Sequence, residues 1–301
     1  MNRQYTIPAK LNVFLVFAVF TVQCCLVIAA SHTTLKFQIP IAVVFSFLFL
    51  TNYSLMHDGG HKLLHPNKRI NKLLDVIAGL NFPTSGTMMS LTHDAHHFCN
   101  RTRHEMFDCY YEKDNKFVKW LQWYSILLGP FWISIVIGTL IVSIFPSFLK
   151  NSLFKKARSS SELFNRFTKE NIRQIRLECL LCILYFLVLF NFCGVQLVPT
   201  LVLFALGGFN WSTRQYVQHH LSERDVWKGA FNLKTSKIMQ LIMLNYNFHQ
   251  EHHSKPYIPW IYLPDTASGK TEMSYMKQYL RQWKPPHLLH EECPEPLDGY
   301  K

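Results

Sequence analysis

The stretch N-Y-N-F-H-Q-E-H-H-S-K-P, residues 245–256, places three histidines within five positions. Three earlier stretches are similar: H-D-G-G-H at 57–61, H-D-A-H-H at 93–97 and Q-H-H at 218–220. The four stretches hold two, three, two and three histidines in chain order, so ten of the fifteen in the chain lie in them. One such cluster alone can be a solvated polar patch, but four of them predict a shared site that brings distant segments together.

Long apolar blocks separate these histidine stretches. Hydrophobic residues make up 49% of the chain and charged residues only 17%, which is too apolar for an ordinary soluble domain. Residues 11–30 carry no charge over a length that crosses a bilayer core of roughly 30 Å, and residues 37–56 follow after a short link, so they predict a transmembrane hairpin. The other transmembrane candidates are residues 120–145 and 177–211. The first block is too long for the apolar region of a cleaved signal peptide.

The charges and cysteines further restrict the class of protein and its expected partners. The net charge of +12 comes from Lys and Arg residues that flank apolar blocks, without a stripe of interleaved aromatic residues, so nucleic acid is not expected as a partner. Anionic lipid headgroups fit this pattern better. Apolar blocks also contain Cys24, Cys25, Cys179, Cys182 and Cys193, where a thiol packs as a small hydrophobe. The pattern indicates an integral, multi-pass membrane protein whose exposed parts face a reducing compartment.

The requirement for one shared site restricts the topology. Residues 57–119 are polar and basic, so the positive-inside rule places them in the cytoplasm. An even number of crossings must then separate the second histidine stretch from the last one. If each later apolar block crosses once, the basic residues between Lys150 and Arg176 lie outside. If each block is a short or re-entrant hairpin, they stay inside, and we favour this second arrangement.

These considerations define a predicted fold class. We expect an all-α, polytopic membrane protein with about four transmembrane helices in two hairpins and a cytoplasmic, histidine-rich helical cap. The chain has no internal repeat and no separate soluble segment, so residues 1–301 are predicted to form a single domain. Residues 57–119 and 212–280 form the predicted cap, and residues 281–301, rich in proline and charge, form a cytoplasmic tail.

The spacing of the histidines points to metal binding. Positions i, i+3 and i+4 share one face of an α-helix, and the first stretch has the i, i+4 spacing while the stretches at 93–97 and 249–253 have all three positions. These eight imidazoles exceed the needs of one ion, because a catalytic zinc takes three protein ligands, so two metals are expected. Imidazole suits zinc, copper, iron and nickel. Asp58, Asp94 and Glu251 lie inside the stretches, where a carboxylate can accept the second ring N–H of a ligand.

The order of these motifs resembles that of a known family. H-x3-H, then H-x2-H-H, then a late H-x2-H-H are set around apolar blocks, with L-L-G-P-F-W at 127–132, G-A-F-N-L at 229–233 and P-W-I-Y-L-P at 259–264. This pattern is similar to the membrane fatty acid desaturase superfamily, whose relatives include alkane hydroxylases, carotenoid ketolases and sphingolipid desaturases. The resemblance implies a helical membrane fold that holds two iron ions through histidines facing the cytoplasm.

The resemblance also implies a ligand set. The family has one more histidine after the last membrane helix, and here that segment is R-Q-Y-V-Q-H-H, which makes His219 the expected ninth ligand, although His220 competes with it. Gln215 stands where relatives often have Asn. The expected metal ligands are His57, His61, His93, His96, His97, His219, His249, His252 and His253. The residues expected to support them are Asp58, Asp94, Gln215, His220 and Glu251.

The implied activity is an O2-dependent oxidation of a long-chain fatty acyl group, most simply the introduction of a C=C bond in lipid metabolism. Hydroxylation, ketone formation or decarboxylation on the same fold are the alternatives. The spacing of the first stretch matches acyl-lipid and sphingolipid desaturases, which favours a membrane lipid or free fatty acyl substrate. The H-P-G-G motif of a fused cytochrome b5 is absent from the sequence, so we expect a separate electron donor, a ferredoxin or cytochrome b5 with its reductase.

Two functions of other classes compete with this hypothesis. A zinc membrane protease needs H-E-x-x-H, whereas Glu251 lies two positions after His249, and the protease leaves most of the clustered histidines unexplained. A divalent-metal transporter needs ionisable residues within its membrane spans, and the predicted spans carry few.

Overall fold

The computed structural model describes residues 5–147, 167–267 and 273–297, and within these ranges the chain is mostly helical, as predicted. The helices are α1 (Ala9–Ser31), α2 (Leu35–Gly60), α3 (Lys68–Leu80), α4 (Gly86–Cys99), α5 (Lys116–Leu127), α6 (Pro130–Ile144), α7 (Lys169–Phe192), α8 (Leu197–Ser212), α9 (Lys237–Ile242), α10 (His249–Ser254), α11 (Leu263–Thr266) and α12 (Tyr275–Arg281). The strands are β1 (Cys109–Tyr110), β2 (Leu233–Lys234), β3 (Met273–Ser274) and β4 (His287–Leu288). We call residues 61–115 and 213–297, as far as they are described, the cap.

The first predicted hairpin is confirmed. Helices α1 and α2 are both long and apolar enough to cross a membrane, and at 1.5 Å per residue each extends over more than about 30 Å. The amide of Gln38 closes the turn between them by donating to the carbonyl of Ala30 over 3.1 Å. At the other end of α1, the Asn12 amide donates to the carbonyls of Leu63 and Leu64 in the cap. Helix α2 continues to Gly60, so the first histidine stretch begins on the last turns of this helix.

The predicted block at 177–211 is a second hairpin. It consists of α7, which is also long enough to cross a membrane, and the shorter apolar helix α8. The chain reverses at Gly194, whose φ of 64° is in the left-handed region that favours glycine. The backbone N–H of Gln196 then donates to the hydroxyl of Ser31 over 2.9 Å, so both hairpins turn at the same level.

The predicted block at 120–145 has a different form. Helices α5 and α6 meet at Gly129 and Pro130, and their axes differ by 91°. Near its start, α6 contacts α8 through Trp132 and Gly208, and near its end the carbonyl of Ser143 accepts a hydrogen bond of 2.7 Å from Arg176 of α7. Both contacts lie near the cap-side ends of α7 and α8, so α6 begins and ends on the same side of the helix bundle. The bend is compatible with both a broken span and a re-entrant segment, and these contacts favour the re-entrant form. The basic residues Lys150, Lys155, Lys156, Arg158 and Arg166 lie outside the described residues.

A buried carboxylate on α7 fixes two cap helices. Glu178 accepts hydrogen bonds from the hydroxyl of Ser85 over 2.5 Å and from the backbone N–H of Thr87 over 3.0 Å, at the start of α4. It also lies 2.7 Å from the ammonium of Lys72 on α3, which in turn contacts Asp75 at 2.9 Å. Because Glu178 is only 3% exposed, these bonds are shielded from competing water. The position of the second histidine stretch on α4 therefore depends on a residue of the membrane hairpin.

Aromatic side chains fill the space between α2 and α8. Phe49 stacks on Phe82 with ring centroids 4.6 Å apart, and Phe82 meets Trp211 edge-on at 5.1 Å. Gly207 lets the two helices approach closely, because a Cβ atom at this position would lie 3.1 Å from the ring of Phe49. Such aromatic pairs contribute about 0.5–1.5 kcal/mol each beyond their buried area. This packing holds the end of α2, and with it His57, against the rest of the bundle.

The C-terminal segment is fixed on the cap, although the sequence suggested only a polar tail. Strand β4 pairs in parallel with β1, and the backbone N–H of His287 donates to the carbonyl of Asp108 over 2.9 Å. Further along, the N–H of Leu297 donates to the carbonyl of Phe98, next to the second histidine stretch. Strand β3 pairs with β2 in the same way. These short pairings tie the last described residues to the site.

Replacing Glu178 by Gln tests the link between α7 and the cap. The variant removes one of the two carboxylates that Lys72 contacts and the anionic acceptor of the Thr87 N–H, so we expect the free energy of unfolding to fall by on the order of 2 kcal/mol. The thermal midpoint of the purified protein in detergent should fall by several degrees. The matched control is Glu170→Gln, an exposed carboxylate in the first turn of the same helix. Equal midpoints for the two variants would contradict the assigned role of Glu178.

Candidate metal centre

Three helices and one turn carry the clustered histidines. His57 lies on the last turn of α2, and His61 is the residue at which that helix ends. The second stretch lies on α4 and the third on the short helix α10. His219 lies in the turns that follow α8. The predicted helical spacing is therefore present in all three histidine stretches, and each presents its rings to one side.

The structure gathers nine histidines into two groups, and in each group the potential ligand nitrogens lie within 4.8 Å of one another. The five-ring group is His57, His61, His93, His97 and His252. The four-ring group is His96, His219, His249 and His253. All nine of the expected ligands are members, and His220 belongs to neither group.

The distances between ring nitrogens fit metal coordination. In the five-ring group the Nε2 atom of His97 lies 2.9 Å from that of His93 and 3.0 Å from that of His252. In the four-ring group the Nε2 atoms of His249 and His219 are 3.0 Å apart. Two nitrogens bound at about 2.1 Å to one ion, at an angle of about 90–110°, are about 3.0–3.4 Å apart. The donor set therefore has the chemistry and the spacing that two transition-metal ions require.

Burial lowers the pKa of seven of the grouped histidines. It lowers the pKa of His61 to about 4, and burial together with the nearby rings of His96 and His61 lowers the pKa of His249 to about 3. The same cause, with neighbouring histidines second, holds the pKa well below the usual range for His93, His97, His219, His252 and His253. A neutral imidazole offers the free lone pair that a metal ion needs.

Two rings of the four-ring group are oriented by hydrogen bonds through their other nitrogen. The Nδ1 atom of His219 donates to the carbonyl of Gly229 over 2.9 Å. The Nδ1 atom of His96 is hydrogen-bonded to the carboxylate of Glu105. Such bonds fix the tautomer and direct Nε2 towards a metal. The sequence gave no indication of Glu105, because a single 3-10 turn at Arg103–Glu105 brings it back to α4.

The comparison with protein families agrees with this geometry. The family model described as fatty acid desaturase matches residues 11–285, which includes both histidine groups and all four apolar blocks. The chain belongs to the fatty acid desaturase family. No curated protein matches the sequence. The family gives the chain a desaturase-like oxidase role in general terms, and the long apolar helices make this desaturase-family protein an integral membrane protein.

The carboxylates expected to support the ligands have varied surroundings in this family member. Asp58 accepts a hydrogen bond of 2.5 Å from the hydroxyl of Tyr246, whose ring packs on His57 with centroids 4.1 Å apart. Asp58 therefore positions a neighbour of His57. Glu251 is buried, with its carboxylate 3.6 Å from the ammonium of Lys255, and Asp94 is half-buried on α4.

The positions of Gln215, His219 and His220 separate their roles. His219 belongs to the four-ring group, whereas His220 stacks on Trp123 with ring centroids 5.4 Å apart and lies 3.7 Å from Asp108. The amide of Gln215 donates to the carbonyl of Trp211 over 3.1 Å, and the residue lines the cavity beside the histidines. His219 and His220 thus point to opposite sides of this turn. The sequence alone did not decide which of the two faces the other histidines.

A buried ion pair supports the turn that carries His219. Arg101 donates to Asp108 and to the hydroxyl of Tyr216, each over 2.9 Å, and Asp108 accepts from the backbone N–H of Leu221 over 2.7 Å. Burial alone would raise the pKa of Asp108, but Arg101 and this N–H more than offset it and hold the pKa below its usual value. The Tyr216 hydroxyl donates to the carbonyl of Glu105 over 2.5 Å. The same network therefore reaches the partner of His96.

A cavity of about 1070 Å³ borders both histidine groups. One face of α5 and one face of α6 form part of its wall, through Lys119, Gln122 and Ile126 and then Ser134 and Gly138. Both histidine groups also contribute residues to the wall: His57, His93, His96, His219 and His249. The wall is polar along α5 and mostly apolar along α6, where Leu50, Met88, Met89, Phe131 and Ile135 also face the cavity.

Replacing Glu105 by Gln tests its effect on His96. The amide keeps a similar shape but removes the negative charge that His96 faces, and loss of such a partner typically lowers metal affinity ten- to a hundredfold. After dialysis against a chelator, we expect about one metal ion to be lost per chain, measured by mass spectrometry of metals. The matched control, Glu112→Gln, changes an exposed carboxylate in the same segment. Metal retention equal to that of the control would contradict this role.

Proposed function

We propose that this protein is an O2-dependent di-iron membrane enzyme that oxidises a long-chain fatty acyl group, most simply by introducing a C=C bond. One observation carries the proposal. Two groups of buried and half-buried histidines border a single cavity whose wall changes from polar to apolar along α5 and α6. That arrangement suits a substrate with a polar end and a long apolar chain.

The proposed ligands are the nine histidines of the two groups. The five-ring group exceeds the three protein ligands of a catalytic zinc site, and family membership favours iron over the other metals that imidazole binds. Iron with O2 supplies the oxidising power to break an unactivated C–H bond, which no side chain can supply. The chain's own residues bind the substrate, orient it and exclude water.

The residues of the cavity wall explain how the chain can place an acyl group. Leu50 lies two turns below His57 on α2, and Met88 and Met89 lie two turns before the last histidines of α4. Apolar side chains next to the histidines favour methylene groups and exclude water from the reacting carbon. Phe131 stacks on Trp211 with centroids 5.6 Å apart, which makes this part of the wall rigid.

We further propose that the cap faces the cytoplasm and that residues 1–301 act as one domain. The cap-side segment carries Lys62, Lys68, Arg69 and Lys72, whereas the turn at residues 193–196 on the far side has no basic residue, which follows the positive-inside rule.

For electrons we propose a separate donor, a ferredoxin or cytochrome b5 with its reductase. Trp227 is 41% exposed on the cap, two residues before the Gly229 carbonyl that His219 contacts. A donor at this surface would lie close to the four-ring group.

The alternatives place different demands on the same site. Hydroxylation, ketone formation or decarboxylation would use the same cavity and ligands. A protease would require one zinc site, and a metal transporter would require ionisable residues along its spans. Of the nine histidines only His57 lies on one of the helices α1, α2, α7 and α8, at the cap-side end of α2, and the buried Glu178 is bound by Lys72.

Metal content and lipid profile together test the proposal. We expect about two irons per chain in the purified protein and a new unsaturated or hydroxylated acyl chain in cells that express it, seen by gas chromatography of their lipids. His252→Ala removes a ligand of the five-ring group and should abolish the product. His290→Ala, at an exposed histidine outside both groups, is the control. One zinc per chain with unchanged lipids would overturn the proposal.

A second test places the acyl chain in the cavity. Gly138 lines the cavity, and a Cβ atom built on it meets nothing within 4 Å. Gly138→Phe should fill the apolar end, lower turnover of long chains by about tenfold and shift the products towards shorter chains. Ile137→Phe is the matched control, because Ile137 is 50% exposed and lies outside the cavity wall. The same product profile in both variants would show that the chain does not reach Gly138.

A further inference from the structure

The cavity wall carries more cationic than anionic side chains. The cations in its wall are Arg103, Lys119 and Arg214, and Glu105 is the carboxylate among its lining residues. Arg103 is paired with Asp114 at 2.8 Å, and Glu105 is bound to His96. Within residues 5–147, 167–267 and 273–297, no carboxylate oxygen lies within the 4.0 Å ion-pair distance of Lys119 or Arg214.

Both cations are held in place by neutral groups. The ammonium of Lys119 donates to the carbonyl of Met106 over 3.1 Å. Arg214 donates through Nε to the amide oxygen of Asn210 over 2.8 Å, and its guanidinium lies 5.1 Å from the ring centroid of Tyr279. Neutral partners fix the direction of a charge without neutralising it. A cation that is partly removed from water in this way is stabilised by a mobile anion.

These cations line the same cavity as the apolar residues proposed to contact the acyl chain. Lys119, Gln122 and Ile126 follow one another along one face of α5, and the apolar wall of α6 begins directly after the bend at Gly129. Both histidine groups line the same cavity as Lys119, Arg214 and Gly138. A molecule that extends along the cavity would therefore place its head at Lys119 when its chain lies along α6.

We propose that Lys119 and Arg214 bind the anionic head of the substrate, a phosphate or a carboxylate attached to the acyl chain. The inference rests on the proposed function, because the acyl chain is what brings the head to this place. Arg214 can offer a planar pair of donors and Lys119 a point charge, a combination that suits a phosphate or carboxylate group. The site thus selects anionic amphiphiles over neutral ones with the same chain.

Binding measurements test this independently of turnover. The purified full-length protein in nanodiscs is titrated with three single-chain amphiphiles of equal chain length: a free fatty acid, a lysophosphatidic acid and a neutral monoacylglycerol. Lys119→Gln should weaken binding of the anionic amphiphiles by about tenfold and leave the monoacylglycerol unchanged. Lys119→Arg keeps the charge and should retain the preference. Lys116→Gln, an exposed lysine of the same helix beside Trp120, is the matched control.

The outcomes separate the two anions and the two proposals. If Lys119→Gln weakens binding of the lysophosphatidic acid alone, the head is a phosphate. If it weakens binding of the fatty acid alone, the head is a carboxylate. Either result supports the site. Equal weakening for all three amphiphiles, or none, overturns it. The same amphiphiles are also tested for oxidation. Selective binding without oxidation of any of them overturns the proposed function and leaves the headgroup site standing, whereas absence of binding by all three overturns both.

Discussion

Nine imidazoles have to converge on two points, and the rest of the structure depends on this constraint. The rings come from the end of α2, from α4, from the turns after α8 and from α10, so four segments far apart in the chain must lie on one side of the bundle. Two hairpins that turn at the same level satisfy this requirement. The bend between α5 and α6 is compatible with it, because α6 contacts α7 and α8 near their cap-side ends.

Buried polar contacts fix the relative positions of these four histidine-bearing segments. Glu178 positions α4 from the membrane hairpin, Asp58 binds Tyr246 between the first and third histidine stretches, and Asp108 with Arg101 supports the turn that carries His219. Each of these carboxylates is fully or almost fully buried and would be costly without its partners. Their bonds therefore exclude alternative arrangements of the same helices. Apolar packing alone, which tolerates small shifts, would hold the rings less accurately.

The sequence predicted the residues that repeat a spacing and missed those that act through tertiary contact. Helical periodicity identified the histidine stretches, but nothing in the local sequence at Gly129-Pro130 determines that the axes of α5 and α6 differ by 91°. Glu105 and Glu178 had no motif, because their partners lie on other elements. The choice between His219 and His220 depended on which side of one turn faces α10. The pairing of β4 with β1 could not be predicted from the tail sequence, because a strand of two residues leaves no periodic pattern.

The geometry of the cavity also bears on which carbon of a chain would react. The histidines are fixed by the fold, so ligand identity does not select a position along a bound chain. Lys119 lines the cavity from α5, ten residues before the bend at Gly129 that leads into α6. If the head is held at Lys119, the distance from that ammonium to the histidines along the wall determines the number of methylene groups between head and reacting carbon. A shift of the head by one bond would present a different carbon to the same rings, so positional selectivity depends on the cationic end of the cavity.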